Sequence, residues 1–129
     1  MMKKTSTLAL LALTIAGSAA AQPIEPRVQA RIDRILKATP LIDGHNDLPG
    51  ELRTAYAGSV EGLESGGATR QPPLMTDIAR LRAGRVGGQF WSVYISGTIV
   101  GDQAIRTTLE QIDIARRLIE AYPRDLELA

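Results

Sequence analysis

Two short β-forming runs, each flanked by helix-forming sequence, constrain this chain more than any other feature. Leu41-Ile42-Asp43-Gly44-His45 reads as a buried strand whose C-terminal end emerges into a loop. Val86 to Ile95 reads as a second strand, carrying the β-formers Phe90, Trp91, Val93, Tyr94 and Ile95. Ahead of the first run, Val28, Ile32, Ile35 and Leu36 fall at i, i+4, i+7 and i+8, with Arg27, Arg31, Arg34 and Lys37 opposite, which predicts an amphipathic helix. Thr39-Pro40 ends it, because the residue before proline is pushed out of the α region. Thr76 is the expected cap of a short helix over Asp77–Ala83, with Gly84 as its stop. Asp102 is the expected cap of a longer helix reaching about Tyr122 and closed by Pro123, with Ile105, Leu109, Ile112, Ile119 and Tyr122 as its buried stripe. Leu126-Glu127-Leu128 suits the start of a third strand. Strands alternating with helices predict a parallel α/β sheet, here with about two strands and three helices.

The remaining stretch, Asn46 to about Met75, shows no sustained period and is crowded with Gly50, Gly58, Gly62, Gly66, Gly67, Pro72 and Pro73. It predicts a long loop with a short helical piece around Glu51–Tyr56. Loops of that length in compact domains are usually functional or disordered.

Residues 1–21 have the three parts of a secretory signal. Lys3 and Lys4 form a positive start, Leu8 to Ala16 is mostly apolar and too short to span a bilayer, and Ala19-Ala20-Ala21 offers small residues before Gln22. The reading is cleavage after about Ala21 and export to a periplasm or the outside, with residues 22–129 as the mature part. Removing 21 of 129 residues leaves 108, enough for one small domain and too few for a complete (β/α)₈ barrel. No second apolar segment of transmembrane length follows.

Composition narrows the function classes. Past the leader, 13 Lys and Arg face 14 Asp and Glu, and no basic patch argues for nucleic acid. Cysteine is absent, which excludes a disulfide framework and a Cys-ligated zinc. Histidine occurs once, at His45.

That histidine sits in the densest chemical signal, Asp43-Gly44-His45-Asn46-Asp47. On an extended backbone His45 and Asp47 point the same way, so an imidazole nitrogen and a carboxylate oxygen can meet on one metal ion. The end of a parallel strand is also where α/β folds place their sites. His-x-Asp occurs by chance as well, Asp-Gly and Asn-Asp form turns, and two ligands are fewer than a catalytic zinc usually takes.

Pro40-Leu41-Ile42-Asp43-Gly44-His45-Asn46-Asp47-Leu48-Pro49 closely resembles the first metal-binding segment of the membrane dipeptidases, the renal dipeptidase family of zinc peptidases. Two further blocks, Thr76 to Tyr94 and Thr108-Leu109-Glu110-Gln111-Ile112-Asp113, resemble that family's second strand with its approach and its following helix, in the same order. The resemblance implies the N-terminal part of a (β/α)₈ TIM-like barrel with a two-zinc centre, hydrolysing small dipeptides. It implies His45 and Asp47 as metal ligands and leaves the remaining ligands and the substrate-holding residues to positions downstream, so no catalytic residue is assignable within this chain. It leaves a homodimeric parent open.

Two positions depart from the family pattern. Gly50 stands where an aromatic residue is common, in a loop expected to line the substrate mouth, and Met75 stands where a histidine is expected before Thr-Asp. Asp43, two residues before His45 on the same face, is a candidate to hold the imidazole's free nitrogen, or equally a filler of the barrel interior.

Other features read as structure. Arg85-Val86-Gly87-Gly88-Gln89 is not a dinucleotide fingerprint and points to close backbone packing. Trp91 and Tyr94, three apart on a strand, are expected on opposite faces as packing residues. Arg116, Arg117 and Glu120 belong to a solvated helix face. Two functions follow: an exported metallodipeptidase of which this chain is the N-terminal portion, or a truncated, catalytically inactive product with at most weak metal binding.

Overall fold

The computed structural model describes residues 23–129, and the leader expected at residues 1–21 lies outside the described residues. The first helix, α1 (Pro26–Ala38), forms as the periodicity predicts. Pro26 occupies its first turn, and the Glu25 carboxylate accepts the backbone N–H groups of Arg27 and Val28 at 3.1 Å. No residue of α1 is buried, and Val28 and Ile35 on its apolar stripe remain half exposed.

Strands β1 (Leu41–Asn46) and β2 (Val86–Trp91) pair in parallel as a two-stranded sheet. Leu41 lies opposite Val86, Asp43 opposite Gln89 and Asn46 opposite Trp91. The pairing needs glycine at Gly87, where a Cβ would lie 2.4 Å from the ring Cβ of Pro40. Close packing is thus what Gly87 provides. The second strand stops at Trp91, short of the predicted Ile95. Trp91 packs half buried against the core, whereas Tyr94 lies past the strand and is 71% exposed, so the two do not share one strand as expected.

The Asn46–Met75 stretch is the main correction. It holds α2 (Leu48–Ala55) and a 3₁₀ turn (Gly67–Thr69), and it supplies Leu48, Leu52, Leu63 and Leu74 to the core. These four leucines are spaced too irregularly to show a period, yet each is at most 2% exposed. Backbone bonds inside the segment replace a regular ladder. Gly58, in the left-handed region at φ 76°, turns the chain after α2 and donates to Leu52 O; Leu74 N–H donates to Gly67 O, and Ile78 N–H donates to Leu63 O. The Tyr56 hydroxyl donates to Pro72 O, and the Arg70 guanidinium stacks 4.9 Å from the Tyr56 ring.

Helix α3 (Ile78–Ala83) is capped by Asp77 rather than Thr76. The buried Asp77 carboxylate accepts from the Arg80 backbone at 2.7 Å and from its guanidinium at 2.9 Å. Burial pushes the Asp77 carboxyl upward. The Arg80 hydrogen bonds and charge, with the Ala68 backbone N–H, outweigh it and hold the carboxyl below its ordinary value.

Helix α4 (Asp102–Ala121) is preceded by Gly101 at its N-cap, one position before the expected cap Asp102, and its buried face differs from the predicted stripe. Thr107, Gln111, Ile114 and Leu118 face the core at i, i+4, i+7 and i+11, while Ile105 and Leu109 are 63% and 59% exposed. Two polar residues are tolerated inside because their groups find partners. Gln111 Nε2 donates to the carbonyls of Tyr94 and Val93, and Gln103 Nε2 donates to Thr107 Oγ1. At the end of α4 the buried Tyr122 hydroxyl donates to Val60 O at 2.7 Å and accepts Leu63 N–H at 3.0 Å, tying the long segment to the helix. Residues 126–128 form no strand; Leu126 instead packs against the core. The observed architecture is an α/β arrangement with four α-helices: the three expected, and α2 where a short helical piece was expected around Glu51–Tyr56.

Candidate metal centre

His45 and Asp47 flank the exit of β1. The strand carries His45 to its C-terminal end, and Asp47 is the N-cap residue of α2. The structure brings their side chains together: His45 Nε2 and Asp47 Oδ2 lie 3.2 Å apart, with both side chains more than half exposed. That separation suits a shared cation. Two donors bonded at about 2.0–2.1 Å to one ion at a tetrahedral angle lie about 3.3 Å from each other. An imidazole nitrogen beside a carboxylate oxygen is also the donor chemistry zinc takes.

Asp47 is free for this because it does not cap its own helix. An N-cap carboxylate normally accepts from the second or third helical N–H. In α2 the second position is Pro49, which has no N–H, and Asp47 makes no side-chain capping bond. The cap is made one residue earlier, where Asn46 Oδ1 accepts Leu48 N–H at 3.0 Å. Asn46 Nδ2 donates to Thr76 Oγ1 at 2.8 Å and approaches Gln89 Oε1 at 3.4 Å. Asn46 O accepts Ser92 N–H. The sequence points to no role at the site for Asn46 or Gln89, and to Thr76 only as a helix cap. The available signal was Asn-Asp-Leu-Pro, in which proline removes the donor that would occupy the aspartate.

Asp43 does not reach the imidazole. Its carboxylate accepts the His45 backbone N–H at 3.2 Å, within the register irregularity of β1 between Asp43 and Asn46, instead of orienting the ring. His45, Asn46, Asp47, Glu51, Met75 and Thr76 line a shallow pocket of about 230 Å³. Met75, 77% exposed, stands on its rim. Gly50 does not line this pocket. It lies within α2 and faces α4, where a Cβ would come 3.0 Å from Gln111 Oε1, so an aromatic side chain there would displace Gln111. A larger groove of about 1090 Å³ lies between α2 and α4 and includes neither His45 nor Asp47. Among the described residues, no group of three or more His, Cys, Asp or Glu side chains could hold a metal ion, so the pair contributes two donors without a third. Among the described residues, no helix is long and apolar enough to cross a membrane.

A family model described as membrane dipeptidase (Peptidase family M19) matches residues 29–129. The chain is 41% identical over 104 residues to a protein of Rattus norvegicus named Dipeptidase 3, and equally so to Dipeptidase 3 of Mus musculus. Each match covers 81% of this chain and 20% of the relative, so the chain spans about a fifth of the length of these curated relatives. The matched region begins inside α1 and takes in β1, the His45–Asp47 pair, β2 and α4. On the extent of that match and the identity to two dipeptidases, the chain belongs to the membrane dipeptidase family, Peptidase family M19.

Proposed function

We propose that this chain is the part of an exported metallodipeptidase that supplies the first ligand pair, His45 and Asp47, to a two-zinc centre at the mouth of a (β/α)₈ barrel. The observation that carries the reading is the 3.2 Å approach of His45 Nε2 to Asp47 Oδ2 at the C-terminal end of a parallel strand. A bound zinc pair would supply an activated water and polarise the peptide carbonyl of a dipeptide. For this, His45 would offer an imidazole nitrogen, and Asp47 a carboxylate that capping does not consume. The strand end holds the imidazole, and the start of α2 holds the carboxylate. Export with cleavage after about Ala21 belongs to the same reading, and N-terminal sequencing of secreted material should begin at Gln22.

The test uses a complete gene product that contains this segment, loaded with zinc and assayed on small dipeptides. EDTA-sensitive hydrolysis is expected, with loss of at least 10²-fold in His45→Ala, in line with the contribution of positioned metal-activated water. Turnover unchanged in His45→Ala would overturn the assignment. The 129-residue chain by itself offers one ligand pair among its described residues, and the second reading, an inactive fragment with weak metal affinity, describes its expected behaviour in isolation. Zinc-dependent hydrolysis by that chain, lost in His45→Ala, would overturn this second reading.

A further inference from the structure

We propose that Asn46 is the positioning residue of the metal-ligand pair: by capping α2 from one position outside the usual cap, and by holding Thr76, it leaves the Asp47 carboxylate free to face His45. The inference rests on the reading of His45 and Asp47 as metal ligands.

Three observations carry it. The duty that an N-cap aspartate normally performs is performed by Asn46 Oδ1 on Leu48 N–H. With proline at the second helical position, the Gly50 N–H is the one remaining nearby donor that Asp47 could take, and the structure leaves the Asp47 side chain off it. Asn46 is itself held from the far side. Its amide nitrogen donates to Thr76 Oγ1, and Thr76 adjoins Asp77, whose buried carboxylate is locked to Arg80 at the start of α3. Gln89 on β2 completes the hold, with Oε1 facing Asn46 Nδ2 and Nε2 donating to Asp43 O. The Asn46 amide therefore links the start of α2, beside the exposed ligand pair, to Thr76 at the start of α3. An aspartate at this position could not donate to Thr76, and an alanine could neither donate nor accept. In Asn46→Ala the Leu48 N–H loses its acceptor, and the Asp47 carboxylate becomes the nearest group able to turn inward onto the helix terminus.

The test reads the 129-residue chain by NMR without metal and by zinc titration. In Asn46→Ala, the Gly50 amide proton should shift downfield and the Asp47 side-chain couplings should change as the carboxylate moves to the helix end. Zinc affinity should fall about 10- to 100-fold, the usual effect of losing a group that orients a ligand. Thr76→Val should move the same signals in the same direction by less, and Thr76→Ser, which keeps the hydroxyl, should restore them. Circular dichroism of both variants should match the parent chain. Unchanged Gly50 and Asp47 signals in folded Asn46→Ala and Thr76→Val would overturn the positioning role. If Asn46→Ala unfolds, Thr76→Val decides. Zinc binding that survives undiminished in His45→Ala would instead overturn the metal reading, and the metal-free NMR comparison still decides what Asn46 does.

Discussion

The two sides of the molecule are held by different physics. On one side α2, the long segment through Leu63 and Leu74, the start of α3 and the inner face of α4 enclose eight buried apolar residues. On the other side α1 buries nothing, and Leu41, Ile42 and Phe90 of the sheet stay exposed. The second side is tied on by polar contacts, notably an ion pair of 3.0 Å between Arg85 and Asp33. Apolar burial contributes roughly 25 cal/mol per Å² and is not screened by salt, whereas an exposed ion pair contributes about 0–1 kcal/mol and is screened. Amphipathic sequence on α1 and the outer stripe of α4 is therefore not evidence of burial within this chain. The apolar faces are present, and the described residues leave them uncovered.

The largest test of that difference is a core truncation. Leu63 and Leu52 are 0% exposed, so Leu63→Ala or Leu52→Ala should lose about 2–5 kcal/mol in urea unfolding. Ile35→Ala on α1 should cost under about 0.5 kcal/mol, and an equal cost at both sites would erase the distinction. Next, Tyr122→Phe leaves Leu63 N–H buried without its acceptor and should cost about 1–3 kcal/mol by the same measurement. Gly87→Ala forces a methyl against the Pro40 ring and should cost about 1–3 kcal/mol while disturbing amide signals of β1 and β2 more than those of the core. Asp77 then predicts a pH signature. Its carboxyl is lowered in the folded chain, so its contribution is present above the ordinary carboxylate value and is lost as pH falls through the folded value. Asp77→Asn should flatten the acid limb of a stability-against-pH curve, and an unchanged limb would sink the account of the α3 cap. The smallest effect is expected at Arg85→Ala, below about 1 kcal/mol and vanishing in high salt.

The parts of the fold most easily read from sequence are not the parts that hold it together. The regular period over Val28–Leu36 revealed α1, which contributes no buried residue. The irregular spacing of Leu48, Leu52, Leu63 and Leu74 concealed the segment that supplies half of the eight-residue core. Periodicity reports a repeating face, and a chain that reaches the core by turns has none. On α4 the period was legible and its phase was not. Ile105 and Leu109 make as good a stripe on paper as Ile114 and Leu118, and contact with α2 selected the second.

By itself the sequence determined helices α1, α3 and α4, the parallel pairing of two strands, and the candidate ligands His45 and Asp47, because alternation, proline placement and side-chain chemistry are local properties. Tertiary structure alone decided which helix faces are buried, that Asp43 serves the backbone rather than the imidazole, and that Asn46, reaching Thr76 thirty positions along the chain, takes over the cap. Each of those outcomes depends on groups distant in sequence meeting at hydrogen-bonding or van der Waals distance, and no local pattern encodes that distance.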